Sequence, residues 1–314
     1  MTSKPRMAIV GCGRMGQERA KWLPAAGAQI TTCVDADLQR AQTLSTDYPG
    51  AVALEAVEDI DWDRVDGVFI CTPPDRRVEI VRAAGDNGTA VFIEKPLAID
   101  ALAAEEVAEI VERQNVPSAV GYMNRYRDSV IRARRFVSES GEIVAVVAYW
   151  ASRRYAAPWW SDARISGGPF NEQGTHLVDL CRYFGGEISD VRVVASPSQE
   201  SISIAFRFSD RGLGTLLYTC EAPEKWIGLQ AITTGGIVEV KGWDFRLVTN
   251  TSNGDVSASD ENPFGIEVRA FVNAVATGDC SGIRCDVREA VRTQRSIDRI
   301  RAELNLAATA ALRA

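Results

Sequence analysis

The sequence predicts an α/β protein in two parts. A doubly wound parallel sheet comes first, followed by an α+β domain built on a large, open, mainly antiparallel sheet. Three observations carry this. Apolar strand-like runs alternate with amphipathic stretches as far as Tyr122. A glycine-rich turn, Gly11-Cys12-Gly13-Arg14-Met15-Gly16, joins the first run to the first amphipathic stretch. Beyond Arg125 the rhythm changes, and strand-like runs follow one another with turns between them instead of helices.

In the first part, residues 7–10, 29–34, 67–71, 90–93 and 118–122 read as buried strands because they are short, continuously apolar and bounded by turn residues. Residues 15–26, 38–46, 76–86 and 101–114 between them have helical spacing. Asp75 and Asp100 stand where N-caps belong, since a short carboxylate can accept the orphan amides of a first turn. The second part opens with a helix at 128–139 and a long strand at 142–152. A Trp- and Gly-rich loop leads to a helix at 175–184, and strands follow at 191–195, 201–208, 214–220, 227–233, 237–240 and 244–248. Residues 254–263 are polar and read as a loop, and helices at 265–277 and 286–306 close the chain. The expected domains are 1–122 and 123–314, with the last helix able to pack back on the first.

The totals narrow the class. A chain of 314 residues with 46% hydrophobic and 25% charged residues buries a core that needs neither disulfide nor metal. The net charge of −7 disfavours a phosphate backbone, so no nucleic-acid partner is expected. Seven scattered cysteines and a single histidine make a structural zinc site improbable and suit a reducing, cytoplasmic compartment. Residues 1–6 are polar and lack the apolar core of a signal peptide. No apolar run approaches membrane-spanning length, so no membrane partner is expected.

The glycine turn has a mechanical reading at each position. Gly11 allows a tight turn, Gly13 lets the backbone approach a pyrophosphate, and Gly16 lets helix and strand pack closely. The helix behind it offers N–H groups and partial positive charge to phosphates. Asp35 ends the second strand, 24 residues after Gly11, where a carboxylate accepts ribose hydroxyls and repels a 2′-phosphate. The sequence continues Asp35-Ala36-Asp37 without an arginine, so NAD is expected over NADP. This is the fingerprint of a Rossmann domain.

Three further segments can carry chemistry. His176, the only histidine, lies in the first turn of an expected helix, with Glu172 four residues before it and Asp179 one turn after it. An imidazole oriented by a carboxylate is a common acid–base arrangement, although a lone histidine is more often structural. Glu94-Lys95-Pro96 ends the strand at 90–93, on the edge where doubly wound sheets bind ligands. An amine withdrawn from water there can exchange a proton with an alcohol or carbonyl, and Pro96 is a candidate for a cis peptide. The bland alternative is a solvated lysine in a turn. Cys71-Thr72-Pro73-Pro74 ends another strand on that edge and would line the cofactor groove. Trp159 and Trp160 could stack on a sugar face or belong to the core.

Together these segments resemble the Gfo/Idh/MocA oxidoreductase family, named for glucose–fructose oxidoreductase and inositol dehydrogenase. The match spans most of the chain: Gly11–Gly16, Cys71–Pro74, Glu94-Lys95-Pro96, Val120-Gly121-Tyr122-Met123-Asn124-Arg125-Tyr126 and Gly167–Asp179. The resemblance implies that Lys95, His176 and Glu172 are catalytic and contact substrate, with Lys95 also a cofactor contact. It also implies that Glu172 takes the place usually held by an Asp that positions substrate, and that Glu172-Gln173-x-x-His176 follows a subgroup pattern. Arg77 stands where many members have histidine. Glu94 joins Gly11 to Gly16, Asp35 and Cys71 to Pro74 as an expected cofactor contact, and Asn124, Arg125, Arg127 and Trp160 fall near the expected substrate pocket. The family's open sheet commonly forms the oligomer interface, which implies a homodimer or homotetramer. The expected activity is NAD-dependent hydride transfer with a sugar, cyclitol or related polyol and no metal. Two other readings stay open at this point: reduction of nucleotide-linked keto-sugars or NAD-recycling glycoside cleavage on the same fold, and a non-enzymatic NAD(P) sensor.

Overall fold

The structure is a computed structural model that describes residues 4–249 and 261–311. The first part forms the strands and helices β1 (Arg6–Val10), α1 (Arg14–Trp22), β2 (Gln29–Val34), α2 (Leu38–Ser45), β3 (Val52–Leu54), β4 (Gly67–Ile70), α3 (Arg77–Asp86), β5 (Ala90–Ile93), α4 (Ala101–Gln114) and β6 (Ser118–Val120). The second part continues with α5 (Asp128–Glu139), β7 (Ile143–Arg153), the short turns α6 (Pro158–Ser161) and α7 (Ala163–Ser166), and α8 (Thr175–Gly185). Then come β8 (Ile188–Ala195), β9 (Ser201–Phe208), β10 (Leu213–Thr219), β11 (Glu221–Thr233), β12 (Gly236–Lys241), β13 (Arg246–Thr249), α9 (Pro263–Thr277) and α10 (Val287–Ala311). The chain forms two compact units, residues 4–123 with 261–291 and residues 124–249 with 292–311.

The first unit holds a six-stranded sheet in the order β3-β2-β1-β4-β5-β6, parallel throughout. The order reverses between β1 and β4, the switch point at which doubly wound sheets bind ligands. Alternate residues of each strand serve opposite faces. Val10, Val68 and Ile70 pack with Ile80 of α3 and Val107 of α4. Met7, Ile9, Phe69 and Phe92 pack with Leu23, Leu44 and Phe271 of the returning helix α9. Phe69 stacks on Phe92 at 4.7 Å, and Phe271 meets both edge-on.

The second unit holds a seven-stranded sheet in the order β13-β12-β11-β7-β10-β9-β8. Only its β7–β10 pair is parallel, so the sheet is mainly antiparallel as expected. One face is covered. Ile202, Ile204, Phe206, Leu216 and Leu229 pack there with Val130 of α5, Leu177 and Val178 of α8, and Ile297 and Ile300 of α10. The other face is open, and Val147, Leu213 and Leu217 are exposed on it.

The differences from expectation have local causes. Strand β3 has three residues, pairs only with β2, and is too short to show a period. Helix α1 stops at Trp22 instead of residue 26, because Pro24 cannot donate to the next helical bond. Asp100 caps α4, accepting the Ala103 N–H at 2.9 Å. Asp75 does not cap α3: Pro74 starts a 3-10 turn over Pro74–Arg76 that absorbs it. Strand β11 begins six residues earlier than expected, because Glu221 pairs with Arg153 across a bulge. Residues 254–260 of the expected polar loop lie outside the described residues.

Gly214 in β10 faces Phe206 in β9, and a Cβ at Gly214 would lie 1.9 Å from that ring. Gly214→Ala is therefore expected to lower the unfolding free energy by about 1–3 kcal/mol through overpacking, measured by urea denaturation. An unchanged midpoint would show that the ring has room to move.

Candidate active site

In the first unit the glycine turn is built as its spacing requires. Gly11 has φ +93°, and a Cβ there would sit 2.7–2.9 Å from the Cys71 and Thr72 backbone. Gly16 lies so close to the turn that its Cβ would fall 2.0 Å from the Gly11 carbonyl oxygen. Gly13 differs: a Cβ there would meet no atom of the chain within 4 Å. Packing does not ask for glycine at that position, and the open backbone suits a closely approaching pyrophosphate. Gly13 also caps α1 without a side-chain hydrogen bond, and the first turn carries no acidic residue, so the leading amides remain suited to an anion. Arg14 is exposed and Met15 half-buried at this end, whereas Cys12 is buried.

Asp35 is fixed to this turn. Its Oδ2 accepts the Cys12 N–H at 2.8 Å and its Oδ1 the Asp37 N–H at 2.9 Å. A carboxylate offers about four acceptor positions, so two backbone bonds leave room for ribose hydroxyls. Asp37 caps α2 through the Gln39 N–H, and its carboxylate also pairs with Arg40 at 3.3 Å.

Two buried arginines set the neighbouring strand ends. Arg77 donates to the Thr72 carbonyl through Nη2 at 2.8 Å and Nε at 3.2 Å, and to the Glu94 carbonyl through Nη1. It thus clamps the segments after β4 and β5 together. Arg19, fully buried, donates to Glu94 Oε1 at 2.6 Å and Glu267 Oε2 at 2.7 Å. Burial works against its charge, but the two carboxylates outweigh it and push its pKa up. Its guanidinium also lies over Phe92 at 4.5 Å and Phe264 at 4.8 Å. Glu94, expected as a cofactor contact, therefore has its side chain turned inward onto Arg19. Lys95 follows, half-buried, joined to Pro96 by a cis peptide. Cys71 and Thr72 share this edge, and burial, reinforced by Glu94, pushes the Cys71 thiol up.

In the second unit a π-helical turn, Phe170–Gly174, runs directly into α8. Such turns recur at functional sites, and none was foreseen here. The turn buries Glu172 and leaves His176, the second residue of α8, half-buried. The His176 ring stacks on Trp150 of β7, with centroids 5.5 Å apart and planes 8° apart. Gln173 ties the turn to the sheet, its Oε1 accepting the hydroxyls of Ser152 and Tyr218, each at 3.1 Å. Burial pushes the Tyr218 hydroxyl pKa up.

The other expected substrate residues lie deep. Arg125 is 2% exposed and pairs with Asp179 through two hydrogen bonds of 2.7 and 2.9 Å. Thr293 donates to the same carboxylate, and Arg182 donates to Thr293. Asn124 is buried and accepts from Arg127 Nε at 2.9 Å. Burial pushes the Arg127 pKa down, against the pull of Asp244. Trp160 is 1% exposed within the core, so the chain itself covers its ring. Glu172 and His176 belong to the second unit, and Lys95 to the first. Among the described residues no group of three or more His, Cys, Asp or Glu is poised to hold a metal ion.

Residues 5–122 match the model of the oxidoreductase family with an NAD-binding Rossmann fold, and residues 130–239 match the Gfo/Idh/MocA C-terminal domain. The chain belongs to the Gfo/Idh/MocA family. It is an NAD-dependent oxidoreductase of that family. It is 28% identical over 285 residues to an inositol 2-dehydrogenase of Rhizobium meliloti (strain 1021), covering 87% of this chain and 79% of that one. It is 30% identical over 213 residues to a scyllo-inositol 2-dehydrogenase (NAD(+)) of Bacillus subtilis (strain 168), covering 64% and 61%. Among solved structures, the WlbA dehydrogenase from Bordetella pertussis in complex with NADH and UDP-GlcNAcA superposes with a TM-score of 0.85 at 18% identity, covering 96% of each chain. A levoglucosan dehydrogenase in complex with NADH superposes with a TM-score of 0.84 at 19% identity, covering 98% and 97%. These two likenesses show the shared fold.

The sequence offers little sign of either buried arginine's packing, and least of Arg19's. Its only signal is a charge on the sheet-facing side of α1, three residues after Gly16. Arg19→Met would leave Glu94 and Glu267 buried without their counter-charge. The expected loss is about 3–5 kcal/mol of stability, read by denaturant unfolding. A loss below about 1 kcal/mol would show that water reaches the carboxylates.

Proposed function

We propose that this enzyme transfers hydride between NAD and a secondary alcohol of a cyclitol or closely related sugar, with Lys95 and His176 acting on one substrate oxygen. The observation that carries the reading is the presence of both proton-handling residues on a chain of this family. Lys95 follows β5 on the edge that holds the glycine turn, and His176 opens α8 behind the π turn of Glu172. The names of the inositol dehydrogenase relatives support a cyclitol over other polyols.

The residues that would hold the dinucleotide are Gly11, Cys12, Gly13, Arg14, Met15 and Gly16 at the pyrophosphate, and Asp35 at the ribose. Cys71, Thr72, Pro73 and Pro74 would line the groove, with the backbone at Glu94 and Lys95 beyond them. When bound, the nicotinamide supplies the two-electron chemistry. His176 takes the hydroxyl proton during oxidation and returns it during reduction. Lys95 donates a hydrogen bond to the same oxygen and stabilises the negative charge that develops there. Glu172 orients the imidazole or a neighbouring hydroxyl. Asn124, Arg125 and Trp160 shape the pocket from behind, through Arg127, Asp179 and the core.

His176→Ala and Lys95→Met should each cut turnover on myo- or scyllo-inositol by roughly a hundredfold or more, with NADH binding unchanged by fluorescence titration. Full activity in both variants would overturn the reading.

The same reading includes a cytoplasmic location, consistent with seven free thiols, and a homodimer or homotetramer formed through the open sheet face. Val147, Leu213, Leu217 and Ile237 are exposed on that face, an apolar patch that a second copy would cover. Val147→Asp combined with Leu217→Asp should convert the assembly to monomers in light scattering after size exclusion. An assembly of unchanged mass would place the contact elsewhere.

A further inference from the structure

We infer that Trp150 is the positioning residue for His176, a fixed aromatic platform that sets the plane of the imidazole. This rests on the acid–base role proposed above for that histidine. Trp150 is 4% exposed on the covered face of β7. Its ring lies parallel to the imidazole in an offset stack, at 5.5 Å and 8°. A nearly parallel arrangement is one of the preferred geometries for two π systems, and it restricts the torsion that would swing the ring nitrogens away from a substrate oxygen.

The platform is itself anchored. The indole N–H donates to Ser152 Oγ at 3.1 Å, and the Ser152 hydroxyl donates to Gln173 Oε1 at 3.1 Å. Gln173 sits in the π turn three residues before His176, and Tyr218 donates to the same amide oxygen. The result is a closed circuit: the π turn sets where His176 starts, and the same turn, through Gln173 and Ser152, sets where its platform lies. The indole also meets Trp243 edge-on at 6.0 Å. The second residue of the Glu172-Gln173 pair thereby gains a purpose: it is the strut of this circuit.

Because His176 is the only histidine, its ring protons give one unambiguous set of NMR signals in histidine-labelled protein. The indole ring current displaces the signals of protons stacked beside it. Trp150→Leu should therefore shift the His176 ring signals, and Trp150→Phe should hold them nearer their native position. In kinetics, Trp150→Leu should lower kcat by about tenfold to a hundredfold with the KM for NAD unchanged, and Trp150→Phe should recover most of it. In a His176→Ala background the leucine substitution should have no further effect.

Unmoved histidine signals, or an equal slowing of the His176→Ala enzyme, would overturn the inference. If Trp150→Leu loses the native far-ultraviolet spectrum, Trp150→Phe, which keeps an aromatic ring but loses the indole N–H bond to Ser152, is read in the same two ways and should shift the histidine signals less than complete loss of the ring would. Full activity of His176→Ala would instead sink the acid–base role, and the NMR arm would still decide whether Trp150 orients the ring.

Discussion

The first unit depends on the charge of Arg19. A guanidinium with no exposure to water must be matched where it stands, because an unpaired buried charge costs far more than any packing gain nearby. Its partners, Glu94 and Glu267, come from the end of β5 and from α9. One ion therefore fixes the helix behind the glycine turn, the strand end that continues into Lys95, and the helix by which the chain returns to this unit. The surroundings conform to it. Gly121 must be glycine, since a Cβ there would lie 2.9 Å from Arg19 and 3.0 Å from Glu94. Phe92 and Phe264 give the cation their faces. Arg77 adds a second clamp on the same edge by joining the carbonyls of Thr72 and Glu94. The two arginines thereby tie the loops after β4 and β5 to each other and to α1.

The second unit solves the same problem with a different ion pair. Arg125 and Asp179 meet through two hydrogen bonds, and Thr293 and Arg182 extend the network to α10. Arg125 also lies over Tyr183 at 4.9 Å. Helix α8 is consequently pinned by Asp179 one turn beyond His176, while Gln173 pins the turn before it. The histidine sits between two fixed points on its own helix. Such fixing suits the proton-transfer role proposed for it, since small displacements of a reacting group cost large factors in rate.

How much of this could be read from the sequence depended on the range of the interaction. The parallel strands announced themselves because burial on both faces demands continuous apolar runs, as in Gly67–Ile70 and Ala90–Ile93. The glycine turn and Asp35 were legible because each acts through local backbone geometry. Asp100 was legible as a cap for the same reason. Arg19 was not, because its partner Glu267 is 248 residues away, and a charged residue in an amphipathic helix reads as solvated. Glu94 was read as a ligand contact from its place on the strand edge, but the direction of its side chain depends on that distant pairing. Trp160 and Arg125 stand near the expected pocket in sequence, and packing with remote elements buries both. The helix onset at His176 was visible as a change of period. The π turn before it, held by Ser152 and Tyr218 from two separate strands, was not.

The same contrast separates the two halves of the chemistry. The cofactor half is made largely of backbone: amides at a helix start, a turn that admits only glycine at Gly11 and Gly16, and carbonyls held by Arg77. Backbone groups look alike in every sequence that adopts the turn, so one short pattern reports them. The proposed substrate half is made of side chains whose directions arise from several elements at once, as in the Trp150–Ser152–Gln173 circuit. Around His176 the imidazole stacks on Trp150, and its helix is tied at Gln173 before it and at Asp179 after it. None of these ties involves the glycine turn, Asp35 or the Arg19 network, so the two sets of residues can vary separately.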